Sequence, residues 1–162
     1  MKQIQSGIIV ALLYITLFVM LSCKSNPAVS SYYASGVECL GVERDGSQTL
    51  RAWGVGRDKR DAVEQAMKNA VHEVLFKGIR DGSSECNQRP LLLEVNAEER
   101  YEDYFNHFFR DGGAYKRFVN LKDEKKDSRE FVTNKTQDKY AVTVRVLRAE
   151  LKQHLIKEGI LK

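Results

Sequence analysis

The sequence predicts an α+β fold: a small two-layer sandwich with a mostly antiparallel sheet, in the element order ββα-αββα. Three features point to it. Two strand-like stretches flank an Asp45-Gly46 pair, a good hairpin turn signal. Apolar residues then recur at helical spacing between Ala62 and Leu75. Near the end, residues 140–146 alternate apolar and polar side chains, and leucines at helical spacing follow.

Taken in order, strand one spans about 36–44 and strand two about 48–55. Helix one follows, with a stripe of Ala62, Val63, Ala66, Met67, Ala70, Val71, Val74 and Leu75. Asp58 is placed to cap it, Asp61 to reach back, and Gly78 to end it. The small alanines at 62, 66 and 70 would let the helix lie close against a sheet. Just before it, "GVGRDK" begins like a dinucleotide fingerprint. Lys59 stands at the third glycine position, however, and no parallel βαβ unit is evident. Gly54 and Gly56 more simply allow a tight strand-to-helix connection. Anion binding at that helix start, helped by Arg57 and Lys59, is the lesser alternative.

Residues 79–92 read as a loop containing Cys86 and Pro90. A second helix is signalled by Asn96 and Glu99 as a capping pair and by Gly112 as its stop. Its stripe is aromatic: Tyr101, Tyr104, Phe105, Phe108 and Phe109. Aromatics at helical spacing are more often core than ligand site. A partner or ligand contact is therefore expected only at the edge, from Tyr101 or Tyr104, with His107 exposed. Residues 114–134 supply one long or broken strand. In the next strand Tyr140, Val142, Val144 and Val146 alternate with Ala141, Thr143 and Arg145. Leu147, Leu151, Leu155 and Ile156 then mark a terminal helix that should cover the sheet.

The chain opens differently. After Lys2, 14 apolar or near-apolar residues, "IIVALLYITLFVML", end at Ser22 and Cys23. A bilayer-spanning helix needs about 20 such residues; a basic start, a shorter apolar centre and a small residue before the cut describe a secretory signal peptide. "MLSC" resembles the lipobox of bacterial lipoproteins, with Met20 where Leu is usual. The resemblance implies a signal peptide at 1–22, lipid attachment at Cys23, and a lipidated polar tether over 23–35 leading to one domain, 36–162. A plain signal peptide or an uncleaved segment with a chance cysteine is the alternative. Lys24, in place of Asp, is similar to lipoproteins passed on to the outer membrane.

Export bears on the other cysteines. Cys39 and Cys86 would lie where disulfides persist, and either one bridge or two buried thiols fits the sequence. His72, His107 and His154 form no metal-ligand spacing with them, and no metal or cofactor is expected. The 162 residues carry 26 basic and 22 acidic side chains, interspersed, a net charge of +4. Nucleic-acid binders concentrate their positive charge, so none is expected as a partner.

"AWGVGRDKRDAVEQAMKNAV", with the later "YAVTVRVLRAELKQHL", resembles the envelope domain of Lpp-twenty-type lipoproteins and the N-terminal domain of the flagellar T-protein. That resemblance implies an envelope location and an accessory role, and brings no active-site residue. The residues themselves offer no "GxSxG" and no His placed beside a nucleophile. Glu98–Glu99 and Glu102–Asp103 fall where an exposed helix face would put them. The function expected is a lipid-anchored, non-catalytic scaffold that docks on another envelope protein. The alternative is a ligand-binding module with a pocket between the sheet and the aromatic helix. Scaffolding requires an exposed apolar patch or free strand edge; ligand binding requires a concave pocket with converging polar groups.

Overall fold

The computed structural model describes residues 36–122, 131–134 and 137–161. The expected signal peptide, Cys23 and the tether lie outside the described residues. The domain is α+β, as expected, and its sheet is open. Strand β1 (Val37–Val42) pairs antiparallel with β2 (Gln48–Gly56), and β2 with β6 (Gln137–Val146). On the far side of β6 lie β4 (Val119–Leu121) and β5 (Phe131–Asn134), both antiparallel to it. Because β4 takes residues 144–146 of β6 and β5 takes 137–140, the two form a broken strand along one edge.

The sequence reading missed one element. Residues Asp81–Gly82 form β3, which pairs parallel with Glu38 and Cys39 of β1. Two residues carry no periodicity, and a disulfide between Cys39 and Cys86 helps hold this loop to β1, with Cα atoms 5.9 Å apart. Closing a 47-residue separation stabilises the fold by about 4 kcal/mol on the chain-entropy account.

The β1–β2 turn forms around Gly46 (φ 78°), whose N–H donates to the Glu43 carbonyl. Asp45 accepts from the Ser47 backbone and hydroxyl and pairs with Arg145 of β6, so the turn is tied across the sheet. Rows of cross-strand neighbours build the inner face. Val37, Ala52 and Val142 form one, Cys39, Leu50 and Val144 the next, and Val119, Val146 and Gln48 a third. All are buried. Tyr140, expected on the same side as the valines, is only partly buried, as is Thr143 opposite it, whereas Ala141 is fully buried although it lies on the other face.

Helix α1 (Lys59–His72) lies on the inner face through Ala62, Ala66 and Ala70. It lies so close that a Cβ at Gly54 would sit 2.0 Å from the Ala62 carbonyl oxygen, and one at Gly56 2.4 Å from the Ala62 nitrogen. The two glycines of "GVG" therefore serve helix–sheet contact. Asp58 caps α1 by accepting from the Asp61 N–H at 2.9 Å. Asp61 reaches back to Arg57, with Nε 2.8 Å from its carboxylate. Arg57 is thereby paired within the helix start, and Lys59 lies 5.7 Å from the Tyr140 ring.

From Glu73 to Lys77 the helix widens into a π-helical turn, ended by Gly78 at φ 79°. Helix-end carbonyls need donors from outside the helix. Here the Val74 and Leu75 carbonyls accept from the backbone of Leu91 and Leu92, which fixes the following loop.

The second helix departs from expectation. Asn96 sits at φ 61° and makes no side-chain cap, and Tyr101 (φ −113°, ψ 32°) breaks the run into α2 (Ala97–Arg100) and α3 (Glu102–Phe109). A capping box requires an extended residue at the cap; Asn96 is left-handed, so the Asn96–Glu99 pair does not form one. A 3-10 turn, Ala114–Phe118, leads into β4. Glu64 of α1 holds it, accepting from the Tyr115 hydroxyl at 2.8 Å and pairing with Lys116 at 3.0 Å. Burial pushes the Glu64 carboxyl up, but those hydrogen bonds outweigh it and hold the group below its usual range.

Terminal helix α4 (Arg148–Lys157) buries Leu151 and Leu155, with Leu147 at its cap. Ile156, expected on the same side, is 42% exposed. It follows Leu155 by one position, about 100° around the helix, which turns it off the buried face.

Candidate functional site

The aromatic helix does what core aromatics do. Phe105 and Phe108 are buried; Phe109, Tyr101 and Tyr104 are partly buried against them. Phe105 meets Phe76 edge-on at 4.9 Å, and Phe108 stacks on Phe118 at 6.0 Å. These rings pack into the core cluster beneath the helix. Two clefts lie on the flanks of α3.

The first flank faces α1. A cleft of about 480 Å³ runs between Lys68, Asn69 and His72 on one wall and Glu98, Glu99 and Glu102 on the other, above Phe105 and Phe109. Within it His72 Nε2 lies 3.1 Å from Glu98. Since an ionised carboxylate only accepts, that nitrogen carries the hydrogen. Lys68 is drawn to Asp111 at 2.6 Å, and Asn69 donates to the Trp53 carbonyl at 2.8 Å.

This cleft continues into a ledge. The loop after the π-helical turn buries Leu91 and Leu92 and then presents Leu93 at 70% and Val95 at 84% exposure. The backbone bonds of Leu91 and Leu92 to α1, and Arg148, which donates to the Arg89 carbonyl at 2.8 Å, hold the loop in place. Glu94 lies between the two apolar side chains and pairs with Arg100. With Glu98, Glu99, Glu102 and Asp103 all exposed, the ledge is apolar at its tip and acidic around it.

The second flank faces α4. Here the Tyr104 hydroxyl lies 3.0 Å from His154 Nε2, and His154 Nδ1 lies 3.9 Å from Glu158. Burial, with a smaller contribution from the Glu158 charge, pushes the Tyr104 hydroxyl up to about 12. Burial also holds the His154 imidazole below its ordinary range. At neutral pH the ring is therefore uncharged and its Nε2 accepts from Tyr104.

Of the residues singled out in the sequence, Cys39 and Cys86 are joined, and Tyr104 is a cleft residue. Tyr101 stands apart from both clefts, beneath the Arg100 guanidinium at 5.9 Å. His107 is exposed, as expected, and its Nδ1 lies 2.7 Å from the Asp103 carbonyl oxygen. Sequence reasoning missed Leu93, Val95, His72 and His154. The run "PLLLEV" held a signal for the first two: five apolar or near-apolar positions at neither helix nor strand period cannot all be buried. Nothing in the sequence joined Tyr104 to His154, fifty residues apart. Among the described residues, no group of His, Cys, Asp and Glu is placed to hold a metal ion, and no helix is long and apolar enough to cross a membrane.

No protein-family model matches the chain, and no curated protein and no solved structure matches it either.

Proposed function

We propose that this protein is a lipid-anchored, non-catalytic accessory component of a bacterial cell envelope. Its lipid is carried on Cys23, its membrane is the outer one, and its domain docks on another envelope protein through the 93–102 ledge. The observation that carries the docking is the fixed presentation of Leu93 and Val95, 70% and 84% exposed. Single exposed apolar residues are common on any surface. These two project from a loop tied down by its own backbone, so little ordering entropy remains to be lost on binding.

Charge selects the occupant. Glu94, Glu98, Glu99, Glu102 and Asp103 lie in and just after the loop that carries Leu93 and Val95, all of them exposed, with Arg100 as the interspersed cation. An anionic lipid surface attracts basic segments and repels this one. A protein with an apolar recess and a basic rim fits it. The lipobox resemblance supports the anchor, and the domain's similarity in pattern to Lpp-twenty-type lipoproteins supports an accessory role.

Two variants test the reading together. Cys23→Ser should move the protein from the membrane to the soluble fraction. Leu93→Glu with Val95→Glu, in the chain that keeps Cys23, should leave it in membranes and leave its stability within about 0.5 kcal/mol, as surface changes do. It should also abolish co-purification of a stoichiometric partner. Retention of the Cys23→Ser chain in membranes would overturn the anchor, and unchanged partner recovery would overturn the ledge.

A further inference from the structure

We propose that the cleft on the second flank, between α3, the 3-10 turn and α4, is a binding site for a carboxylate carried on an apolar body. Its volume is about 580 Å³, within the range of small-molecule sites. This goes beyond the docking function, which uses the opposite flank of the same helix.

The cleft has an apolar wall and a polar end. Phe108 forms the wall with Ala114. The polar end is the Tyr104–His154 pair, and its geometry is fixed from both sides. Phe108 stacks on the imidazole at 6.3 Å and 23°, and Phe118 packs against it at 5.0 Å. With the ring held and neutral, the Tyr104 hydroxyl is spent on Nε2, so the pair closes the end of the cleft and leaves the donors to the rim.

The rim supplies the charge. Arg110 and Arg117 both line the cleft, and among the described residues neither has a carboxylate partner. Neighbouring cations differ in this respect, since Lys68 pairs with Asp111 and Lys116 with Glu64. The Arg117 guanidinium lies 5.4 Å from the Phe118 ring centre, a position that orders the fork without using its donors. A planar fork with free donors matches a carboxylate. Glu158 stands on the same rim and repels a second negative charge, so a monoanion fits better than a phosphate dianion. A small molecule and a peptide chain end both carry such a carboxylate, and the chemistry at the two arginines is the same for either.

The test uses the full chain purified from membranes in detergent, with acetylphenylalanine as the probe and its amide as the control. Binding is read by calorimetry and by the environment of Tyr104. The acid should bind at least tenfold more tightly than the amide. Arg117→Gln should cut affinity for the acid at least tenfold at unchanged melting temperature, while Leu93→Glu with Val95→Glu should leave it unchanged. Acetyl-alanyl-phenylalanine binding more tightly than acetylphenylalanine would assign a peptide end, and the reverse a small molecule; either supports the site. No binding of any acid, equal binding of acid and amide, or indifference to Arg117→Gln would overturn it.

Discussion

Gln48 is 1% exposed, and among the described residues its side-chain amide finds no hydrogen-bond partner at either end. It stands on the inner face opposite Val146, where an apolar residue would be expected. A buried, unsatisfied polar group costs about 1–3 kcal/mol. Gln48→Met, of similar shape, should therefore raise the midpoint of chemical denaturation, by about 1 kcal/mol or more. An unchanged or lowered midpoint would show that the amide is paired in solution. His154 makes a second prediction. Its imidazole is held by burial below the ordinary value of 6.5, so as pH falls through about 6.5 the unfolded chain takes up a proton that the folded one does not. Stability present above that pH should decline as pH drops toward the folded value. His154→Gln should flatten the melting temperature between about pH 7 and pH 5; an equally steep profile in the variant would remove His154 as the source. At this scale the sequence was partly readable. The alanines at 62, 66 and 70 announced a close approach, whereas Gly54 and Gly56, read as a tight connection, turn out to face α1 with no room for a Cβ. Gln48 and His154 gave no sign, because burial of a polar residue depends on strands and helices far away in the chain.

The elements were legible where their period was long enough to count. Helix α1 and strand β6 repeat their apolar positions over three or more turns or alternations, and both formed as expected. The hairpin turn followed from Asp45-Gly46, and Gly46 does adopt the positive φ that the signal implies. Strand β3 could not be read, since two residues have no period and their pairing depends on the neighbouring bridge. The aromatic segment was read as one helix because Asn96, Glu99 and Gly112 have capping spacing. The backbone at Asn96 and Tyr101 overrides it, with ring packing from Phe105 to Phe109 setting where α3 lies. The disulfide is the element-scale test. It ties β1 to the loop that carries β3 and leads toward the ledge. Replacing Cys39 and Cys86 together by alanine should lower stability by about 4 kcal/mol, seen as a reduced denaturation midpoint. A midpoint insensitive both to that change and to reductant would mean the bridge does not form.

Across the domain, the aromatic helix separates two surfaces of opposite character. One flank carries Glu98, Glu99 and Glu102; the other carries Arg110 and Arg117 with Tyr104 and His154. The interspersed charges of the sequence gave no hint of this division, because the two arginines and the acidic run are separated only once α3 and the 3-10 turn are in place. The fold class, by contrast, followed from three sequence features, and the anchor expectation from the resemblance of "MLSC" to the lipobox of bacterial lipoproteins. The docking claim is the centre of the account, and one measurement addresses it most directly. A photo-activated cross-linking residue placed at position 93, and separately at Glu150 on α4 as a control, would be irradiated in native membranes. The account predicts a single protein adduct of defined mass from position 93, absent from position 150 and lost when Glu98, Glu99 and Glu102 are changed to lysine. Adducts to lipid alone, or the same pattern from both positions, would contradict it.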